Sequence, residues 1–214
     1  MKGQADLRYE YRLWARGYLA VAGLDEAGRG AWAGPVVAGA VILPADRFDL
    51  ARALSGVNDS KQLTAAQREA LVARILRVAV AAAVGQASHA EIDAQGIVPA
   101  TRLAMQRALE ALPTPPDALL TDAMRLPAVR VPVYKLIRGD QRALSVAAAS
   151  ILAKVARDRL MDELDARYPE YGFCEHKGYG TALHRQQLRV FGVSPVHRRT
   201  FAPVRAFLAE EDAP

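Results

Sequence analysis

The chain has 214 residues, 51% of them apolar and 24% charged, which excludes a disordered or fibrous protein and suffices for one domain without covalent staples. Its single cysteine, Cys174, excludes an internal disulfide and any multi-cysteine zinc site, and fits a reducing, cytoplasmic setting. The 28 Lys+Arg and 23 Asp+Glu leave a net charge of +5, and residues 125–205 hold 15 of the basic and only 7 of the acidic side chains, which points to a polyanion such as nucleic acid.

No secretory or membrane segment is visible. Asp6, Arg8, Glu10 and Arg12 fall where a signal peptide would be apolar, and the longest uncharged apolar run, residues 31–43, is broken by Gly34, Pro35 and Gly39. A span needs about 20 apolar residues. Residues 4–16, charged with interspersed Leu7, Tyr11 and Trp14, read as a short helix. Residues 18–24 and 35–43 read as buried strands joined by a Gly-rich turn. Residues 64–76 have a helical period through Leu71, Ile75 and Leu76, with Thr64 as N-cap and Gln67 completing a capping box. A small-residue strand at 79–84 and a helix at 99–112 follow, then a Pro-rich loop at 113–116. Short strands are expected at 118–121 and 131–136, and a long helix at 144–168, where Ala147, Ala148 and Ala149 allow close packing on a sheet. Strands alternating with helices predict an α/β domain with a mixed sheet. The polar tail at 210–212 reads as frayed.

Acidic residues fall at the ends of predicted strands. Asp25 and Glu26 follow residues 18–24, Asp122 follows 118–121, and Asp140 lies between 131–136 and the long helix. Aspartate at a strand end is also ordinary turn chemistry. Carboxylates gathered where loops converge repel one another unless a cation sits among them, and hard divalent ions such as Mg²⁺ take oxygen ligands. The context sharpens this: Gly23-Leu24-Asp25-Glu26-Ala27-Gly28-Arg29-Gly30 sets two glycines and an arginine directly after an acid pair. Glycine lets backbone N–H groups approach an anion, and arginine offers a fork to phosphate.

From these residues the chain resembles the bacterial ribonuclease HII family. The resemblance runs over about residues 18–202. It includes Ala33-Gly34-Pro35-Val36-Val37-Ala38, Asn58-Asp59-Ser60-Lys61, Glu91-Ile92-Asp93 and Arg138-Gly139-Asp140. It continues through the stretch from Ser145 to Lys154, Tyr168-Pro169-Glu170-Tyr171-Gly172-Phe173, His176-Lys177-Gly178-Tyr179-Gly180-Thr181 and Ser194-Pro195-Val196-His197-Arg198-Arg199. It implies an RNase H-like fold, a mixed central sheet flanked by helices with a C-terminal helical segment, within a single domain. It also implies an endonuclease that cuts 5′ of a ribonucleotide in RNA–DNA hybrids and at single ribonucleotides in duplex DNA.

By carry-over, Asp25, Glu26, Asp122 and Asp140 would be the catalytic, metal-binding acids for Mn²⁺ or Mg²⁺, with two ions during catalysis. Gly28, Arg29 and Gly30 would read the ribose 2′-OH and its phosphate, and Tyr179 would stack under the adjoining sugar. Ser60, Lys61, Ser150 and Lys177 would be further substrate contacts. The expected partner is a ribonucleotide-containing duplex, with no membrane, and a monomer is the default. The chain departs from the family pattern at Ala31-Trp32, at Ala123, where glycine is usual, and at Arg138, where lysine is common. Trp32 could change how a duplex lies by the loop.

The histidines His89, His176, His184 and His197 lack zinc spacing and read as structural or surface residues. His176 and His197, with Arg198 and Arg199, are also candidate phosphate contacts. Cys174 reads as an inert, half-buried thiol, and Tyr171 as packing. Two rival functions remain: an RNase H-like nuclease acting on all-DNA substrates, such as an integrase or resolvase, and a basic nucleic-acid-binding module without chemistry. The ribose-reading motif argues against the first, and the cluster of acids argues against the second.

Overall fold

The computed structural model describes residues 5–58 and 63–211, so Ser60 and Lys61 lie outside the described residues. Five strands form one mixed sheet in the order β3-β2-β1-β4-β5. They are β1 (Val21–Ala27), β2 (Val36–Ile42), β3 (Ala81–Ala87), β4 (Ala118–Asp122) and β5 (Val133–Leu136). β1, β2 and β3 pair antiparallel, with Asp25 opposite Gly39, while β4 and β5 run parallel to β1.

The described helices are α1 (Arg8–Trp14), α2 (Leu50–Ala53), α3 (Ala65–Val78), α4 (His89–Gln95), α5 (Ile97–Glu110), α6 (Leu144–Arg167), α7 (Phe173–His176), α8 (Ala182–Phe191) and α9 (Ala202–Glu211). Period-2 alternation divides β1 and β2 between two cores. Ala22, Leu24, Val36, Ala38, Ala40 and Ile42 pack with Ala104, Met105 and Ala108 of α5. Val41 packs on the other face with Ala147, Ala148, Ala149 and Ile151 of α6 and with Leu71 and Ile75 of α3. Each fully buried Leu, Ile or Met contributes about 1.5–3 kcal/mol relative to exposure.

The small residues set the spacing. A Cβ on Gly39 would lie 2.3 Å from the Ala149 carbonyl oxygen, and one on Gly23 would lie 2.2 Å from the Ser145 carbonyl carbon. The alanine run of α6 therefore lets that helix lie against the two strands that adjoin the site, as its composition suggests.

Thr64 caps α3 in the expected box, donating and accepting with Gln67. Several boundaries move. β1 begins at Val21 because the Asp117 carboxylate accepts the N–H groups of Leu19 and Ala20 at 2.8 and 3.0 Å, holding that segment outside the sheet. It continues to Ala27 because β2 pairs with it to Ala27↔Val37. Asp25 and Glu26 therefore lie inside the strand, not after it. β3 shifts to Ala81–Ala87 through its pairing with β2, and α5 starts at Ile97, since Pro99 is tolerated in a first turn. Asp140 sits in a 3-10 helix, Gly139–Gln141, between β5 and α6. The α4 capping box of Ser88 and Glu91 and the Thr181 cap of α8 are legible signals that the reading passed over.

Candidate active site

β1 delivers Asp25 and Glu26 to one end of the sheet, and the last residue of the neighbouring β4 delivers Asp122. Asp25 is buried and points toward α6, where Ser150 hydrogen-bonds it; its Oδ1 also accepts the Glu26 N–H at 2.8 Å. Burial, then the Glu26 and Asp122 charges, push the Asp25 carboxyl well above the usual carboxylate range despite those hydrogen bonds. Arg29 Nη1 lies 3.0 Å from Glu26 Oε1. Asp122 Oδ1 accepts the Gly139 N–H at 3.0 Å, which ties β4 to the 3-10 helix carrying the buried Asp140.

These groups line a cleft of about 240 Å³ together with Ala27, Gly28, Gly30, Lys154 and Tyr179. Asp25, Glu26, Asp122, Gly28, Arg29, Gly30, Ser150 and Tyr179 thus meet in one place. Asp140 is adjacent through Gly139 but does not line the cleft. The Lys177 side chain turns away to pair with Asp162 of α6, while its carbonyl accepts from Arg157. Lys154 was missed by the sequence reading, although it stands one helical turn beyond Ser150 on the same predicted helix. Its Nζ lies 2.6 Å from Asp158 Oδ1, and burial pushes its pKa down. A larger cavity, about 590 Å³, is lined by residues such as Leu7, Tyr11, Leu54 and Leu144 and by none of these acids.

Two buried guanidiniums shape the loop after β1. Arg157 of α6 donates to the carbonyls of Pro35, Lys177 and Ala33, and Arg198 donates to those of Gly34, Arg29 and Pro35. Burial, followed by the Arg157 charge, lowers Arg198 to about 9. Arg198 is fully buried, as is His197, and His176 is nearly so; these three are parts of the scaffold and not phosphate contacts. Arg199 is exposed and remains open to solvent. Trp32 is buried against Gly180 and His184, so it packs the loop and does not face a duplex. Cys174 is exposed, not half-buried. Tyr171 is packing as expected, stacked on Phe173. Ala123 holds φ at +54°, a left-handed conformation in which glycine has no Cβ penalty.

The donors are all carboxylate oxygens, and burial first, then the Glu26 and Asp122 charges, raise the Asp25 pKa, so the chemistry of the set fits a hard divalent cation. Among the described residues, no three His, Cys, Asp or Glu side chains are yet gathered in an arrangement that could hold a metal ion. Glu26 is engaged by Arg29 and Asp122 by the Gly139 N–H. Among the described residues no helix is long and apolar enough to cross a membrane.

A mixed five-stranded sheet between helices, with carboxylates on the two central parallel strands, defines the RNase H-like nucleases. The family profile described as Ribonuclease HII matches residues 22–204. The chain is 56% identical to the ribonuclease HII of Chloroflexus aggregans over 97% of its own length and 98% of that protein. Among solved structures it resembles the ribonuclease H2 of Pyrococcus horikoshii OT3, with TM-score 0.75 and 29% identity over 89% of this chain and 97% of that one. It also resembles the RNase HII of Archaeoglobus fulgidus, solved as a complex with PCNA, with TM-score 0.70 and 26% identity over 86% and 96% of the two chains. The chain belongs to the ribonuclease HII family, nucleases that cleave RNA in RNA–DNA hybrids.

Proposed function

We propose that this chain is a divalent-metal-dependent endoribonuclease. It hydrolyses the phosphodiester 5′ of a ribonucleotide, both in RNA–DNA hybrids and at a single ribonucleotide embedded in duplex DNA, and so removes misincorporated ribonucleotides. The observation that carries this reading is the shared cleft, which sets Asp25, Glu26 and Asp122 beside Gly28, Arg29, Gly30 and Tyr179.

The 2′-OH distinguishes RNA from DNA at one position, and the Gly28–Gly30 loop, which lines the cleft with Gly30 exposed, suits it. Arg29 faces the adjacent phosphate, and Tyr179, 38% exposed, offers its ring to the sugar on the DNA side. Ser150 fixes Asp25 from below. Asp25, Glu26, Asp122 and Asp140 would hold Mn²⁺ or Mg²⁺, with two ions during the reaction. Such ions supply Lewis acidity and neutralise charge developing at phosphorus. Water attacks the phosphorus and the 3′-oxygen of the preceding nucleotide leaves, so the ends are 3′-hydroxyl and 5′-phosphate. The chain acts as a single-domain monomer in the cytoplasm.

The test is a cleavage map on a labelled duplex with one ribonucleotide, its all-DNA twin and a long hybrid, each with Mg²⁺, Mn²⁺ or chelator. A metal-dependent nick immediately 5′ of the single ribonucleotide, absent from the all-DNA twin, is expected. Cutting only within the long hybrid would remove the single-ribonucleotide reading. Cutting that persists in Asp25→Asn at the wild-type rate would remove the assignment of the acids.

A further inference from the structure

His176, His184 and His197 form a buried cluster behind Tyr179, and their hydrogen bonds fix every proton. The Ser194 backbone N–H donates to His197 Nδ1 at 3.1 Å, and the Ser194 hydroxyl lies 2.7 Å from the same atom. A backbone N–H can only donate, so Nδ1 is the bare nitrogen and Nε2 carries the proton of the neutral ring. That Nε2–H points at His184 Nε2, 2.9 Å away, which must therefore accept. The proton of His184 is left on Nδ1, which donates to the Tyr179 carbonyl at 3.0 Å. His176 is assigned independently: Gly178 N–H donates to its Nδ1 at 3.1 Å, and its Nε2–H donates to the Tyr171 carbonyl at 2.8 Å. The His176 and His184 rings stack at 4.2 Å.

The chain of donors has one direction. It starts at the Ser194 backbone and ends on the main chain of the residue whose ring lines the cleft. We infer that His184, oriented by His197, is a positioning residue that holds Tyr179 in place and thereby sets selectivity for an isolated ribonucleotide. The inference rests on the proposed role of Tyr179 at the sugar. Tyr179 is otherwise steadied by its N–H to the His176 carbonyl at 2.9 Å and by the Arg157 guanidinium 5.4 Å from its ring centroid. Neither contact fixes the carbonyl end of the residue. The Thr181 N–H, from the N-cap of α8, also donates to that oxygen at 2.8 Å. His184 is the link to a distant segment, the Ser194–Arg198 loop.

Two measurements test this. In the intact protein, imidazole ¹⁵N spectra should show His184 protonated on Nδ1 and His197 on Nε2. A His184 ring protonated on Nε2 would overturn the inference. The second measurement is the ratio of kcat/KM on a single-ribonucleotide duplex to kcat/KM on a long hybrid, which does not depend on the fraction of folded enzyme. His184→Phe keeps the ring and removes the donor, and should lower that ratio about tenfold or more, as expected for a displaced positioning group. His184→Asn places an amide N–H where Nδ1 lies, and should recover most of the ratio. Tyr179→Ala should lower it as well, and the double variant with His184→Phe should be no worse than Tyr179→Ala alone. An unchanged ratio in His184→Phe beside a lowered one in Tyr179→Ala would overturn the inference alone. An unchanged ratio in Tyr179→Ala would overturn the reading of Tyr179 and the inference with it.

Discussion

Gly28 rests directly on the guanidinium of Arg157: a Cβ at Gly28 would lie 1.9 Å from Arg157 Nε, and the residue holds φ at +90°. The loop that follows the acid pair is therefore pressed onto a buried cation that also grips Ala33, Pro35 and Lys177. Gly30, two residues on, has nothing within 4 Å of its missing Cβ. Two glycines of one motif thus answer to different constraints, one internal and one facing the cleft.

Gly28→Ala should destabilise the fold by more than about 1 kcal/mol through its positive φ alone, with the clash against Arg157 adding to it. Gly30→Ala should fold with a nearly unchanged Tm yet lose activity, because the added methyl stands where a phosphate would approach. Thermal denaturation and kcat/KM on a single-ribonucleotide duplex separate the two. A Gly28→Ala protein as stable as the parent would contradict the packing described.

Asp25→Asn should abolish turnover while raising Tm in the presence of chelator at neutral pH. The folded-state pKa of Asp25 is raised, first by burial and then by Glu26 and Asp122, so its ionised form opposes folding above that pKa. Asparagine keeps the Oδ1 acceptor for the Glu26 N–H and removes the charge. A gain on the order of 1 kcal/mol is expected, about 2–4 °C for a chain of this size. A lower Tm in Asp25→Asn would show that the carboxylates are not in conflict.

Ala123→Gly should stabilise the protein by about 1 kcal/mol, read as a rise in Tm or denaturant midpoint. Ala123 at φ +54° carries a Cβ in left-handed space, while its N–H is tied to the Leu136 carbonyl at 3.0 Å and cannot relax. The turn places Asp122, so activity should be kept or improved.

The histidine cluster gives a pH dependence of definite sign. Burial, then the His176 charge, lowers His184 to about 4, and burial, then the His184 charge, lowers His197 to about 3. Both lie below the unfolded value near 6.5, so the unfolded chain binds more protons between those limits. Their contribution to stability is full above about pH 6.5 and is lost as pH falls toward 4 and 3. Asp25 acts with the opposite sign in part of this window, so a difference measurement is needed. The stability advantage of the parent over His184→Asn should shrink on the order of 1–3 kcal/mol between pH 7 and pH 4, followed by urea denaturation at each pH. An advantage that widens on acidification would mean that His184 is charged in the folded protein.

Much of the site was legible because its chemistry is local in sequence. The run Gly23 to Gly30 puts acids, glycines and arginine within eight residues, and no tertiary contact is needed to see them together. Thr64 and Gln67 were legible for the same reason, since a capping box closes over three residues. Residues whose role depends on a distant partner were not. Arg198 and His197 look like surface cations in a basic motif, yet Arg198 is buried on carbonyls 163–169 positions away, and His197 is buried on His184. Lys177 sits in the same motif as Tyr179, but only the fold turns its amine to Asp162 and the Tyr179 ring to the cleft.

The sequence by itself determined the order of the five strands and of α1, α3, α5 and α6, the α/β class, the acids at the ends of β1 and β4 and the loop of Gly28–Gly30, because periodicity and side-chain type act over a few residues. Tertiary structure alone decided three things: that β1 runs on through Asp25 and Glu26, that Asp140 stands behind Asp122 in a 3-10 helix, and that two arginines and three histidines are interior. The physical reason is that burial of a polar side chain is settled by whether partners far along the chain satisfy it. Arg157 and Arg198 are cations with carbonyls to hold, and His184 and His197 are rings with each other to bond, so all four could be enclosed.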